Sequence, residues 1–294
     1  MDVKILCLHK VNNCNSYSWP AMPVKSFIKL IKYIRFRYQI CLPSDIPKLK
    51  TKKSPLILTF DDGYEDFYAN VFPILKMYNI PCVLNVVVSS AETNMTIWTQ
   101  RLNNILDNFI DNNINSFSVR INSQTIDFKI SKKNAINVST KLYQMMAFLP
   151  MSSRLEIINN LEHKIVGNLK SEKMMNWEQI VHVSNNGVSI GNHSYSHDIL
   201  NGNHLTDDIL FYEISNSKKL IENKIGKEIH YFAFPNGIFN ESTLDYSKKI
   251  GYKNIFLVNE KTAKFKFENG INVLDRISIY SSNLFKNIYR IQKN

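Results

Sequence analysis

A short, nearly all-apolar run that ends in two adjacent carboxylates constrains this chain more than any other feature. The run spans Pro55 to Phe60, and its composition is typical of a parallel strand that is covered on both faces. Asp61 and Asp62 follow it directly. Burying charge where a strand meets a loop is costly unless a metal, a cation or a substrate compensates it. The run therefore predicts a buried sheet with a functional site at its edge.

Predicted strands and helices alternate around this run. Strand-like sequence covers residues 3–8 and 82–88, and apolar residues recur at helical spacing over 24–34 and 67–78. The resulting order of strand, helix, strand, helix, strand is typical of an α/β fold with a parallel sheet or barrel.

Residues from about 95 to 173 interrupt this alternation. They are predicted to form a helix, a hairpin around Asn122 and Ser123, and two further helices, which we interpret as a mainly helical insertion. The alternation resumes with a helix that begins at Asn176, where Asn176 and Gln179 have capping-box spacing. A short strand over 188–191, a long helix closed by Gly226, a strand over 231–234, a helix over 242–250 and late strands over 255–258 and 273–279 follow.

The composition limits the classes of protein that remain. A chain of 294 residues with 44% hydrophobic content can bury a sizeable core, and no apolar run approaches the roughly 18 residues of a membrane helix. The first residues are already strand-like, so we expect a cytoplasmic protein without a secretory signal. Its four cysteines lack paired spacing, which argues against a disulfide framework and a thiolate zinc site.

The net charge of +11 is spread widely along the chain. A dispersed charge argues against nucleic-acid binding, which usually gathers Lys and Arg into one patch or arm. Anionic small molecules or peripheral contact with a membrane surface fit this distribution better, and a solvated surface whose charge only serves solubility is the alternative.

Two imidazoles four residues apart, His193 and His197, follow the predicted strand over 188–191. They share a face if the segment makes one helical turn, and together with Asp61 or Asp62 they complete a possible metal site with three ligands. Both motifs follow predicted strands, and α/β folds collect their sites at the carboxyl ends of strands. Hydrolysis of an amide or ester needs such a metal, a base and an acid. Taken singly, Asp-Asp-Gly is also a common turn.

Three segments resemble motifs of the polysaccharide deacetylase family, also called the nodulation-deacetylase homology family. Leu58 to Tyr64, reading LTFDDGY, and His193 to His197, reading HSYSH, resemble the first two motifs, and Phe232 to Gly237, reading FAFPNG, resembles a variant of the third. The similarity runs from Val3 to about Ile279, apart from the insertion. It implies one catalytic domain over 1–294, built as a distorted (β/α) barrel of about seven strands.

The resemblance also implies roles for individual residues. Asp61 would be the general base, and Asp62, His193 and His197 would hold a divalent metal, most often zinc. The reaction would remove the acetyl group from an N-acetylated amino sugar.

The third motif implies a place for the oxyanion. A backbone N–H near Asn236, next to Pro235, would face the tetrahedral oxyanion, a role that does not depend on the side chain. The arginine that this motif usually carries is missing. Arg276, next to Asp275, is a candidate replacement that would keep Asp61 ionised; the alternative is a surface ion pair.

The general acid departs from the usual family order. Many members place an acid histidine in a late Leu-x-His motif, but this chain has no histidine after His230. In a permuted subgroup that includes the poly-N-acetylglucosamine deacetylases, the motif lies in the first strand. Leu8 and His9 resemble it, which makes His9 the candidate acid. The alternative is a histidine that only caps the end of a strand.

We therefore expect a metal-dependent carbohydrate N-deacetylase that acts on a nucleotide-linked or lipid-linked precursor of a surface glycan, with a phosphate-bearing substrate matching the basic charge. Two alternatives stay open at this point: a non-catalytic carbohydrate-binding module on the same fold, and a deacylase or deformylase of another small N-acyl sugar. Trp98 and Trp177 flank the insertion and are candidates for a wall of the sugar site or for core packing.

Overall fold

Strands alternate with helices in a computed structural model that describes residues 1–50, 52–165, 171–202, 204–265 and 270–294. The strands are β1 Asp2–Leu8, β2 Gln39–Ile40, β3 Pro55–Phe60, β4 Val83–Val86, β5 Ser116–Ile121, β6 Gln124–Lys129, β7 Ser189–Asn192, β8 Tyr231–Ala233, β9 Asn254–Phe256, β10 Ala263–Lys264, β11 Asn272–Leu274 and β12 Ile277–Ser278. The helices are α1 Val24–Arg37, α2 Phe72–Met77, α3 Val88–Thr93, α4 Trp98–Asp111, α5 Ala135–Met146, α6 Met151–Glu162, α7 Trp177–Asn185, α8 Asp207–Leu210, α9 Ser217–Ile225, α10 Glu241–Lys249 and α11 Leu284–Lys293.

Seven strands of the described chain pair in parallel, in the order β1-β3-β4-β7-β8-β9-β11. β10 adds to β1 in the antiparallel sense, and β2 lies beside β3. β11 pairs with β9, whereas β12, which follows after Asp275 and Arg276, pairs with β1. The two ends of the sheet thus meet at one seam, and the sheet is nearly closed into a barrel. The prediction of a distorted barrel of about seven strands is confirmed.

The local sequence explains the elements that carry the site. β3 is buried along its whole length, as its apolar run predicts. The capping box at the start of α7 is present, because the Asn176 side chain accepts the N–H of Gln179 and the Gln179 side chain accepts the N–H of Asn176. Gly226 ends α9 in the left-handed conformation, where a glycine carries no steric cost.

Several predicted strands are shorter than expected, and the structure explains the two largest differences. The strand predicted over 82–88 ends at Val86, because the chain then turns into α3 and the N–H of Ser89 bonds to the carbonyl of Tyr195 instead of continuing the ladder. The strand predicted over 273–279 is divided at Asp275 and Arg276, where the chain crosses the seam from β11 to β12. Two of the predicted helices also contain a π-helical turn, at Phe67–Val71 and Phe211–Asn216.

Residues 98–165 form a hydrophobic cluster separate from the main core. It is built by α4, the β5–β6 hairpin, α5 and α6, and it includes Ile199 from outside the segment. The hairpin turns at Asn122 and Ser123, both at positive φ, as predicted. The bounds of the insertion and the single-domain assignment stay predictions. Within the described ranges, no helix combines the length and apolarity needed to cross a membrane.

Candidate active site

Strand register brings the predicted site residues together at one end of the barrel. Leu8 pairs with Phe60, so the residues that follow these strands, His9 and Asp61, emerge side by side. Asn192 pairs with Phe232 in the same way, which places the residue after it, His193, against the end of β8. These carboxyl ends of parallel strands are where α/β folds gather their sites.

A cavity of about 340 Å³ opens at this end of the barrel. Its lining residues are His9, Trp19, Asp61, Asp62, Thr99, His193, His197, Asn236, Val258, Glu260, Ser278, Ile279, Tyr280 and Arg290. A larger cavity of about 650 Å³ runs along α4, but its described lining contains none of the predicted metal-binding or proton-transfer residues. The smaller cavity is therefore the candidate active site.

Asp62, His193 and His197 converge in the floor of this cavity. Asp62 Oδ1 lies 3.3 Å from His193 Nε2 and 3.4 Å from His197 Nε2, and all three residues are at most 3% exposed. His193 Nδ1 lies 2.7 Å from the carbonyl oxygen of Ala233. Since a carbonyl only accepts, Nδ1 carries the ring proton and Nε2 presents a lone pair.

This arrangement fits a divalent metal. Asp62 Oδ1 is buried without a hydrogen-bond partner among the described residues, which is costly for a carboxylate unless a cation neutralises it. One carboxylate oxygen and two imidazole nitrogens form a donor set that suits zinc, and the Ala233 carbonyl orients His193 as an outer partner of a metal ligand.

The segment from His193 to His197 does not make the helical turn that would place the two imidazoles on one helix face. Ser194 and His197 have φ of 68° and 60°, which an α-helix excludes, and the segment is a loop. The His197 N–H donates to Ser194 Oγ, and the buried Glu213 accepts from both the N–H and the hydroxyl of Ser196. These local hydrogen bonds shape the loop so that the imidazole centroids of His193 and His197 lie 5.0 Å apart.

The electrostatics of the three residues follow from burial and proximity. Burial on its own would raise the pKa of Asp62, but the adjacent imidazoles of His193 and His197 hold that pKa well below its ordinary value. At His193, burial acts in the opposite direction and would lower the pKa, but the carboxylates of Asp61 and Asp62 raise that pKa above its ordinary value. Burial prevails at His197, whose pKa is lowered although Asp62 opposes the shift.

Asp61 is paired with a fully buried arginine. Arg276 Nη1 and Nη2 donate to its two carboxylate oxygens at 2.8 and 2.7 Å, and Arg276 also donates to Thr59 Oγ1 and the Leu257 carbonyl. The alternative of a surface ion pair is thereby excluded. Burial would raise the pKa of Asp61, but Arg276 holds it far below its ordinary value, so the carboxylate stays ionised.

Asn85 contacts the same carboxylate and was missed by the sequence analysis. Its Nδ2 donates to Asp61 Oδ1 at 2.7 Å from the neighbouring strand β4. A Cβ on Gly191 of β7 would collide with the Asn85 side chain, so the glycine makes room for this amide. A lone amide within an apolar strand is the signal that could have revealed it.

Comparison with known proteins decides the family. The sequence profile described as polysaccharide deacetylase matches residues 48–255, which is more than half of the chain. This chain belongs to the polysaccharide deacetylase family. The curated relative YxkH of Bacillus subtilis, named as a polysaccharide deacetylase, is 23% identical over 255 residues. The match covers 85% of this chain and 62% of YxkH, so the chain spans less than two thirds of that relative.

Two solved structures share the fold. The Streptococcus pyogenes deacetylase PplD, solved in complex with acetate, aligns with a TM-score of 0.63 at 18% identity, over 99% of this chain and 98% of PplD. IcaB of Ammonifex degensii aligns with a TM-score of 0.61 at 15% identity, over 99% of this chain and 97% of IcaB. These similarities support the barrel of a polysaccharide deacetylase.

The candidate acid lies beside the candidate base. His9 lines the cavity, its ring lies edge-to-face against Trp19 at 5.3 Å, and it forms one compact group with Asp61 and Cys7. Burial lowers the pKa of His9, while the carboxylates of Asp62 and Asp61 oppose that shift.

The tryptophans have different surroundings. Trp19 lines the candidate active-site cavity. Trp98 is buried in the cluster of residues 98–165 and its indole N–H donates to the His197 carbonyl at 3.0 Å, while Trp177 packs against the main core. Neither Trp98 nor Trp177 is among the residues that line the cavity.

The third-motif segment forms a tight turn over Pro235–Gly237, one residue after the end of β8. Asn236 has φ of 54° and lines the cavity. Gly237 also has positive φ, and a Cβ there would come within 2.7 Å of the Val258 backbone nitrogen. The close approach of the Val258 chain thus requires a glycine and fixes the turn beside the site.

Proposed function

We propose that this protein removes the acetyl group from an N-acetylated amino sugar and depends on a divalent metal, with Zn²⁺ as the first candidate. Asp62, His193 and His197 would hold the metal. The observation that carries the proposal is the convergence of these three buried donors, one of them unpartnered, beside an Asp61 carboxylate that Arg276 keeps ionised.

Asp61 would accept the proton of the attacking water. Arg276 and Asn85 fix the carboxylate in place, and its lowered pKa leaves it ionised. When bound, the metal would supply the Lewis acidity that polarises the acetyl carbonyl and acidifies the attacking water. A base whose pKa is as low as that of Asp61 needs such an acidic water as its proton donor.

His9 would protonate the departing amine, and the turn at Pro235 and Asn236 would face the oxyanion with a backbone N–H. His9 and Asn236 line the same cavity as Asp61, so the candidate acid, the candidate oxyanion donor and the candidate base all face one cavity. Acetate and a free amino sugar are the products.

The cavity volume is near the lower end for ligand sites and suits one sugar unit. We propose that this sugar unit belongs to a nucleotide-linked or lipid-linked precursor of a surface glycan and that the reaction takes place in the cytoplasm. The net charge of +11 supports a phosphate-bearing substrate. Removal of a different small acyl group would use the same residues, with pocket size as the discriminating feature.

Removal of the metal tests the proposal. Acetate release from UDP-linked, lipid-linked and oligomeric N-acetyl sugars is measured for the purified chain before and after dialysis against a chelator. We expect at least about 100-fold loss of rate and recovery on addition of Zn²⁺, because general acid–base groups alone supply only part of the acceleration. Unchanged acetate release by protein that contains no metal would refute the metal dependence. Glycan binding without acetate release from any substrate would favour the binding-module alternative.

His9→Ala is expected to lower the rate on an N-acetyl sugar by about 100-fold or more. The same variant should hydrolyse an aryl acetate at nearly the wild-type rate, because a phenolate departs without a proton. His182→Ala is the control, since His182 packs against Tyr68 and Phe72 away from the cavity. Equal losses on both substrates would contradict a role for His9 as the acid.

A further inference from the structure

We infer that residues 98–165 position the metal-binding loop from behind, with Trp98 and Arg154 as positioning residues for His197. The inference rests on the metal site proposed above. It assigns a task to a segment that the proposed chemistry does not otherwise use. Its basis is that three consecutive loop residues, His197, Asp198 and Ile199, each contact this segment.

The contacts are buried. The Trp98 indole N–H donates to the His197 carbonyl at 3.0 Å, the Arg154 guanidinium forms an ion pair with Asp198, and Ile199 packs within the hydrophobic cluster of residues 98–165. All five side chains are at most 4% exposed. The Arg154 guanidinium also lies 4.9 Å from the centre of the Trp98 ring, so the two positioning residues support one another.

The ion pair is an expensive way to pack a helix against a loop. Asp198 also accepts from the Ile199 N–H and faces His204 Nε2 at 3.2 Å, whereas Arg154 Nε and Nη1 have no hydrogen-bond partner among the described residues. An apolar pair of similar volume usually stabilises a fold at least as well as such a buried pair. We infer that the charged pair is present because it holds the backbone of the loop in a particular conformation.

That conformation is visible at His197. Its φ of 60° is unfavourable for a residue with a side chain, and such a conformation persists only where its surroundings determine it. The hydrogen bond from Trp98 to its carbonyl and the ion pair at the next residue fix the backbone after this torsion, and the hydrogen bond from the His197 N–H to Ser194 Oγ fixes the side before it. Outer partners of this kind commonly change metal affinity by about 10- to 100-fold when they are removed.

Metal affinity of the full chain is the decisive measurement. Metal-free wild type and variants are titrated with Zn²⁺ in competition with a chromophoric chelator, and the Co²⁺ form is examined by visible absorption. We expect Trp98→Phe, which keeps an aromatic ring but loses the N–H, to bind Zn²⁺ about 10-fold more weakly and to alter the Co²⁺ spectrum. Arg154→Lys should bind Zn²⁺ more tightly than Arg154→Met, because it keeps the positive charge beside Asp198. It should bind Zn²⁺ more weakly than wild type, because it lacks the planar guanidinium.

Two further variants separate positioning from stability. Arg154→Met leaves Asp198 buried without its cation and threatens folding, so Arg154→Met/Asp198→Asn removes both charges; we expect it to recover thermal stability but not Zn²⁺ affinity. Arg101→Met is the matched control, because it breaks the ion pair of Arg101 with Glu162 between α4 and α6 of the same segment. Its Zn²⁺ affinity should stay within about twofold of wild type.

The outcomes distinguish this inference from the proposed function. Wild-type Zn²⁺ affinity and Co²⁺ spectra in both Trp98→Phe and the double variant would overturn the inference while leaving the deacetylase proposal intact. Wild type that binds neither ion would overturn the proposed metal site and the inference with it. A loss of affinity in Arg101→Met equal to that in Trp98→Phe would reduce the effect to general damage and also overturn the inference.

Discussion

Asp61→Asn is expected to lower kcat for acetate release by about 10²- to 10⁴-fold, the usual contribution of a general base. Asparagine keeps the shape of the side chain and one acceptor for Arg276, but it cannot take a proton from water. Asp62, His193 and His197 are unchanged, so Zn²⁺ affinity should stay within about threefold of wild type. Acetate release and Zn²⁺ titration on the same preparation measure the two quantities.

Asp66→Asn is the control for that experiment. Asp66 lies five residues further along the chain, but its carboxylate accepts from the Val11 N–H and the Asn12 amide and lines the larger cavity. Its rate should stay within about twofold of wild type. A rate for Asp61→Asn equal to that of Asp66→Asn would remove Asp61 from the mechanism.

Arg276→Met is expected to destabilise the fold by about 3–5 kcal/mol, because it leaves the buried Asp61 carboxylate without its cation. Chemical denaturation of metal-free protein measures the free energy of unfolding. The double variant Asp61→Asn/Arg276→Met should recover much of the loss, since neither charge remains. Arg290→Met is the control, because its pair with Glu260 is partly exposed and should contribute less than about 1 kcal/mol. Equal losses for Arg276→Met and Arg290→Met would contradict the argument.

Wild type and Arg276→Met are expected to differ in the direction in which their stability changes with pH. In wild type the folded-state pKa of Asp61 is depressed, so its contribution to stability is complete above the unfolded pKa of about 3.9 and is lost as the pH falls further. Without Arg276, burial raises the pKa of Asp61, so stability should instead decline as the pH rises from about 4 to 7. Unfolding measured across this range checks the sign.

The sequence predicted the frame of the site because strand ends and short motifs are local. The apolar run before Asp61 predicted a fully buried strand, and the parallel pairing of β1 with β3 explains why His9 and Asp61 emerge together. The buried pairing of Arg276 with Asp61 fits the suggested replacement for the missing arginine. The roles of these residues in catalysis stay predictions until the variants are measured.

The parts that sequence reasoning missed depend on contacts between distant segments. The loop of His193 and His197 is shaped by Glu213 and by two left-handed residues, which no helical periodicity reveals. Asn85 reaches Asp61 across neighbouring strands, and Trp98 reaches the His197 carbonyl across 99 positions of the chain. Each is a tertiary hydrogen bond without a local pattern.

The place of Arg276 at the seam has a consequence for how this barrel can move. Arg276 lies between β11 and β12, and its guanidinium spans from the Leu257 carbonyl at the end of β9 to Asp61 after β3. Separation of the two edges of the sheet would therefore break the contact of this guanidinium either with Leu257 or with Asp61. An opening of the seam that separates Arg276 from Asp61 would let burial raise the pKa of this carboxylate, so closure of the barrel helps to keep the proposed base ionised.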